Sequence, residues 1–245
     1  MSTPKIALVT GAAGVLGKAI AKSLAEEGMR IVVADIAQEP LNAVSQELPG
    51  DTYPIAFDIS DPKQVDAAME KVMKEVGEID VLVNSAGILS NNKAETTTPE
   101  EWQRVMQVNL NGAFYLSRAV LPAMKKKRWG RIVNITSLAS KTGGITAGTA
   151  YSTSKGAMNS LTFSLAAETA PYGITANGIA PAYIKTPMVT EQLTEEQRQE
   201  LLKKIPVGRF CEAEECAHTV KFLVSPLAGF ITGEIIDQNG GLMFD

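Results

Sequence analysis

Tyr151 and Lys155 put a phenol and an ammonium four residues apart, so on a helix both leave the same face. An unperturbed tyrosine, with a pKa of about 10, accepts protons poorly at neutral pH. A neighbouring cation stabilises the phenolate and draws that pKa towards the working range. Such a pair can trade a proton with a substrate hydroxyl or carbonyl oxygen. Tyr-x3-Lys alone is common on helix surfaces, so its meaning depends on its surroundings.

A second chemical feature lies near the start of the chain, in Thr10-Gly11-Ala12-Ala13-Gly14-Val15-Leu16-Gly17. Gly11, Gly14 and Gly17 permit a tight turn and close approach of backbone to a pyrophosphate. Val15 and Leu16 open a helix whose free N–H groups and partial positive charge suit an anion. Asp35 follows 18 residues after Gly17, where its carboxylate can accept both hydroxyls of an adenosine ribose. A 2′-phosphate there would meet like charge, costing on the order of several kcal/mol. No cation sits at Gly14, Ile36 or Ala37 to offset it. The expected cofactor is therefore NAD(H) and not NADP(H).

Positioning these groups requires an alternating scaffold. Residues 5–10, 30–35, 52–57, 79–84, 131–136 and 174–180 are short, Val/Ile-rich runs without a polar face. Parallel strands covered on both sides read this way. Helical periodicity fills 14–28, 38–48, 62–76, 99–127 and 151–171. Asp61-Pro62 and Thr98-Pro99 are helix starts, a cap followed by proline in the first turn. Beyond Ala180 the order weakens: residues 181–210 are polar, with a charged helical piece near 191–204. A last helix near 213–223 precedes a strand at 234–237. The expected fold is α/β, a single domain over 1–245, with a doubly wound parallel sheet of about seven strands and helices on both faces. Within it, 182–210 reads as a substrate lid or loop.

Composition closes off other chemistries. Apolar residues make 45% and charged residues 20% of the chain, which argues against disorder. A net charge of -4 gives no electrostatic reason to expect nucleic acid or an anionic membrane. The run Lys125-Lys126-Lys127-Arg128 reads as cations at a helix C-terminus. No segment reaches the roughly 18–20 apolar residues of a membrane span, and Met-Ser-Thr-Pro-Lys enters a strand without a secretory h-region. Cys211 and Cys216, five apart in what reads as one helix, suit free thiols in a reducing cytoplasm. His218 is the only histidine. Cys-x4-Cys-x-His matches no common zinc spacing, so no metal site is expected.

Taken in order, these motifs resemble the short-chain dehydrogenase/reductase family, in its single-domain branch. The resemblance spans nearly the whole chain. It runs through the glycine turn, Asp58-Ile59, Asn84-Ser85-Ala86-Gly87, Val108-Asn109-Leu110, Asn134-Ile135-Thr136-Ser137, Tyr151/Lys155, Asn177 to Pro181 with Thr186, Thr232-Gly233 and Gly240-Gly241. It implies a Rossmann-type sheet and a tetrad of Asn109, Ser137, Tyr151 and Lys155. Tyr151 would be the general acid/base, and Lys155 would tune it and bind the nicotinamide ribose. Ser137 would hold the substrate oxygen, and Asn109 would support a water-linked relay to Lys155. Asp58 and Ile59 would meet the adenine, Asn84, Ala86 and Gly87 would line the cofactor, and Ile184 and Thr186 would fix the carboxamide. A homotetramer built on 99–127 and 151–171 is implied as well.

Three positions depart from the family pattern. The glycines fall at Gly11, Gly14 and Gly17, with Val15 where the short members carry the middle one. Ser137 precedes Tyr151 by 14 residues, one more than usual, leaving Ser140 as a second candidate. Ala182 replaces the glycine that usually follows Pro181. Substrate choice would rest on 89–94, 138–148 and 182–210. Their small and polar residues point to a polyol, sugar acid or hydroxy acid, interconverted between secondary alcohol and ketone. Lys93 and Lys141 are either anion partners or solvated loop lysines. The competing reading is a 3-oxoacyl-carrier-protein reductase, with Arg128 on the docking face and Tyr172 where a second cation would help. A non-catalytic NAD-binding scaffold would be marked by loss of Tyr151 or Lys155, and both are present.

Overall fold

The computed structural model describes residues 4–186 and 194–244. Seven strands form one sheet: β1 Ile6–Thr10, β2 Arg30–Asp35, β3 Thr52–Ala56, β4 Val81–Asn84, β5 Gly130–Ile135, β6 Ile174–Pro181 and β7 Ile235–Gln238. Every pairing is parallel, in the order β3-β2-β1-β4-β5-β6-β7. The order reverses between β1 and β4. Ligands of such sheets bind at that switch, outside the C-terminal strand ends.

The absence of a polar face follows from burial on both sides, with side chains alternating between two cores. Leu8, Val32, Leu82 and Ile132 enter one core. Their neighbours Val9, Val33, Val83 and Val133 enter the other. The second core is closed by α1 Val15–Glu26, α2 Gln38–Glu47 and α9 Ala213–Val224. The first lies under α3 Pro62–Glu75, α5 Gly112–Lys127 and α7 Thr149–Thr169. Both predicted caps form: Asp61 accepts from Lys63 N and Gln64 N, and Thr98 accepts from Glu101 N.

The sheet and its covering helices match the sequence reading, but the run 99–127 is not one α-helix. It is α4 Pro99–Met106, a π turn at Gln107–Asn111, and α5. Single π turns inside helices mark functional positions, and Asn109 sits in this one. The charged piece begins at Glu195, as α8 Glu195–Lys204, and a short α6 spans Ala139–Thr142; residues 187–193 of the expected lid and helix lie outside the described residues. Cys211 does not belong to the helix of Cys216. It precedes α9 and bridges Ile184 in parallel.

A polar seam crosses the apolar interior. Asn84 Nδ2 donates to Asn134 Oδ1 at 2.8 Å, and Asn134 Nδ2 donates to Thr162 Oγ1 at 2.8 Å. It ties β4 and β5 to the middle of α7. Among the described residues no helix is long and apolar enough to cross a membrane.

Candidate active site

The glycine turn leaves β1 with Gly11 at φ +66°, a left-handed conformation that favours glycine. A Cβ on Gly11 would fall 2.8 Å from Ala86 Cα, and one on Gly17 would fall 2.2 Å from Gly11 O. Backbone therefore approaches backbone on two sides. Thr10 Oγ1 fixes the β4 loop to this turn by accepting from Ser85 N and Ala86 N, both at 3.1 Å. Gly14 N donates to Gly11 O at 3.1 Å, so Gly14 closes the turn instead of offering its own N–H. Val15 takes no positive φ, which is why glycine is unnecessary there. α1 then starts with no side-chain cap, leaving the N–H groups of its first turn for an anion.

Asp35 ends β2 facing this turn. Its carboxylate accepts from Ala13 N at 3.0 Å and Ile36 N at 2.8 Å. Asp58 accepts from Ser60 N and Ser60 Oγ. The Ile59 side chain packs in the core and occupies the space a Cβ on Gly112 would need. Asn84 Oδ1 is buried without a partner, next to the cradle that Thr10 and Ala86 build. The uncapped helix, the acid and this orphaned acceptor together fit a dinucleotide.

Asn109, fully buried in the π turn, grips the β4 loop. Its Oδ1 accepts from Ile88 N at 2.8 Å, and its Nδ2 donates to Ile88 O at 3.0 Å and Ser154 Oγ at 3.1 Å. A Cβ on Gly87 would sit 3.2 Å from Asn109 Oδ1 and 3.4 Å from Lys155 Nζ, so these three groups meet. Lys155 Nζ donates to Ile135 O at 2.8 Å and lies 5.8 Å from the centre of the Tyr151 ring. Ser137 Oγ accepts from Ala139 N at 3.1 Å and is the hydroxyl that draws the Tyr151 phenol down. Ser140 is committed elsewhere, donating to Ser137 O at 2.6 Å and accepting from Asn159 Nδ2 at 2.9 Å. Ser137 is thus the serine beside the phenol.

Burial dominates the electrostatics. It pushes Lys155 down to about 8. It also raises Tyr151 above its ordinary value, an effect the Ser137 hydrogen bond partly reverses. The expected lowering of the phenol by the ammonium does not appear, because the interior desolvates both groups.

The model of the family described as enoyl-(acyl carrier protein) reductase matches residues 11–243. Over 239 residues the chain is 40% identical to the 3-oxoacyl-[acyl-carrier-protein] reductase of Escherichia coli (strain K12), covering 97% of each chain. The chain belongs to the short-chain dehydrogenase/reductase family. It is 39% identical to the 3-oxoacyl-[acyl-carrier-protein] reductase of Thermotoga maritima, covering 98% of each chain. A crystal structure of such a reductase from Brucella melitensis superposes with a TM-score of 0.93 at 35% identity, over 98% of this chain and 92% of that one.

In this short-chain dehydrogenase/reductase the substrate loops differ from both sequence alternatives. Lys93 Nζ donates to Gly144 O at 2.8 Å and Ala147 O at 2.6 Å. Lys141 pairs with Asp237 at 2.7 Å, largely out of solvent. Lys93 ties one loop to another, Lys141 ties α6 to β7, and neither is a solvated spare. Sequence reasoning also missed Ser154, which links Asn109 to the Tyr151 carbonyl, donating to it at 2.7 Å. Its place next to Lys155 was the available signal. Ile184 and Thr186 lie on the stretch between β6 and residue 187; a cavity of about 550 Å³ there is lined by Tyr183, Cys211, Asp237 and Met243, not by Ser137 or Tyr151.

The two serines separate by mutation in this family member. Ser137→Ala is expected to cut kcat by about two to three orders of magnitude, the worth of a hydrogen bond to developing charge. Ser140→Ala should leave turnover within a few-fold of wild type. The reverse ranking in steady-state kinetics would move the substrate oxygen to Ser140.

Proposed function

We propose that this chain reduces a 3-oxoacyl thioester to the 3-hydroxyacyl thioester, using NADH. The carrying observation is the near full-length identity of about 40% to reductases named for 3-oxoacyl carriers, over a site that joins Ser137, Tyr151, Lys155 and Asn109. The polyol or sugar acid suggested by loop composition has no such support, and its two candidate lysines are engaged elsewhere.

In this reading Ser137 holds the carbonyl oxygen and Tyr151 donates the phenolic proton to it. When bound, the dihydronicotinamide supplies the hydride. Lys155 restores the proton to Tyr151, and Asn109 keeps Ile88 and Ser154 fixed around it. Gly11, Gly17, Val15 and Leu16 would hold the pyrophosphate, and Asn84, Ala86 and Gly87 would line the nicotinamide side. Asp58 and the Ile59 backbone meet the adenine, and Ile184 and Thr186 the carboxamide.

Asp35 favours NADH. Its carboxylate is oriented by two backbone N–H groups, and no cation pairs with it among the described residues. The test is an acetoacetyl thioester with each cofactor. Turnover with a lower KM for NADH is expected. A lower KM for NADPH would overturn the Asp35 reading, and no turnover with either would overturn the substrate.

The pH profile follows from Lys155. Its ammonium persists below about 8 and is lost above, so ketone reduction should fall as pH rises through that value. A rate constant still flat at pH 10 would contradict a relay through this lysine.

A further inference from the structure

Outside the site, two nucleophilic side chains are in contact. Cys211 Sγ and Cys216 Sγ lie 3.8 Å apart as free thiols. Their approach follows from how α9 begins. Glu212 is the N-cap, and it forms a reciprocal capping box with Glu215. Cys211 and Cys216 therefore occupy the positions before the cap and four residues after it, which a helix entry of this kind brings together.

The two sulfurs differ in access. Cys216 is fully buried, whereas Cys211 is partly exposed and lines the cavity beside Tyr183. A small oxidant thus reaches Cys211 first. The contact with the Cys216 thiol holds the Cys211 thiol below its ordinary pKa. The same contact, together with burial, pushes Cys216 up. Nucleophilic thiolate character belongs to the accessible sulfur.

We propose that Cys211 and Cys216 are a reversible, hydroperoxide-oxidised dithiol whose disulfide acts on the carboxamide end of the site through the bridge between Cys211 and Ile184. Cys211 thiolate attacks the hydroperoxide: an S–O bond forms, the O–O bond breaks, and the alcohol, or water from hydrogen peroxide, leaves with a solvent proton. The Cys216 thiol then attacks the sulfenic sulfur, its proton passing to the departing hydroxyl group of Cys211. The S–S bond forms, the S–O bond breaks and hydroxide leaves as water. Two thiols are oxidised by two electrons and one peroxide is reduced.

The coupling is geometric. A disulfide needs sulfurs about 2.0 Å apart, closer than the 3.8 Å present. Cys216 is packed in α9, so closing the gap falls mainly to the Cys211 side chain and the backbone that carries it. Cys211 N donates to Tyr183 O at 2.9 Å, and Lys185 N donates to Cys211 O at 2.8 Å. These two bonds would carry any backbone shift of Cys211 to both sides of Ile184. This second half rests on the proposed role of Ile184 and Thr186.

The experiment treats the whole protein with hydrogen peroxide, blocks remaining thiols and maps peptides without reductant, while the KM for NADH is measured before and after dithiothreitol. An intramolecular Cys211–Cys216 bond is expected, with a severalfold rise in KM that reductant reverses. Cys216→Ala should stop at a Cys211 sulfenic acid that dimedone traps, and Cys211→Ser should keep its KM under peroxide. Over-oxidation of Cys211 without the bond, or a bond between chains, would overturn the dithiol. A bond that leaves KM unchanged would overturn the coupling alone, since the reductase reading is tested separately by thioester turnover of the untreated enzyme.

Discussion

Tyr151→Phe should bind NADH with wild-type affinity and lose about 10²–10⁴-fold in kcat, the usual worth of a positioned general acid. The substitution removes one oxygen and leaves the ring, which stays in its place on α7. Removing the hydroxyl leaves Ser137 without its side-chain partner but does not touch the glycine turn or Asp35, so cofactor affinity and turnover separate cleanly. Fluorescence titration with NADH and steady-state reduction of a 3-oxoacyl thioester make the comparison. Turnover within a few-fold of wild type would remove Tyr151 from the chemistry. A parallel loss of affinity would instead indicate a misplaced α7.

Gly17→Ala is the second large effect, and it acts on binding. The added methyl would lie 2.2 Å from Gly11 O and 2.7 Å from Gly11 C. These are backbone atoms of the turn, so nothing flexible can yield. Overpacking of this kind costs about 1–3 kcal/mol, and the relief available is to lift Gly11 off Ala86 and spread the phosphate cradle. Thermal unfolding should drop by several degrees, while the KM for NADH rises by at least an order of magnitude. Full retention of both would mean that α1 can slide away from the turn at no cost.

The sheet is legible in the sequence because its signal is local. Apolar–polar alternation is absent from these strands; Ile31, Val32 and Val33 are all buried, and such runs read directly as doubly covered strands. Asp35 and the glycines are legible for the same reason, since turn, helix start and acid sit within one βαβ unit. The π turn at Asn109 is not, because an extra residue within a helix barely disturbs its apolar period. Lys93 and Lys141 escape because their partners lie 51 to 96 residues away, and a loop lysine carries no mark of what it will meet. Cys211 is misplaced for a subtler reason. Cys-x4-Cys fits helical spacing as well as it fits a staple across a cap, and only the helix start at Ala213 separates them.

The Asn84–Asn134–Thr162 seam carries a consequence for alignment. Tyr151 lies 11 residues ahead of Thr162 on α7, about 16 Å at the usual helical rise. A helix packed through apolar contacts alone can shift along its axis by a fraction of an ångström at little cost. A hydroxyl hydrogen-bonded to a strand amide cannot. The helix is therefore pinned at two places along its axis, by Thr162 at its middle and by Ser154 and Lys155 near its start, so that the stretch carrying the phenol and ammonium cannot slide over the strand ends. Part of what registers the Tyr151 hydroxyl is thus a fully buried residue 11 positions away.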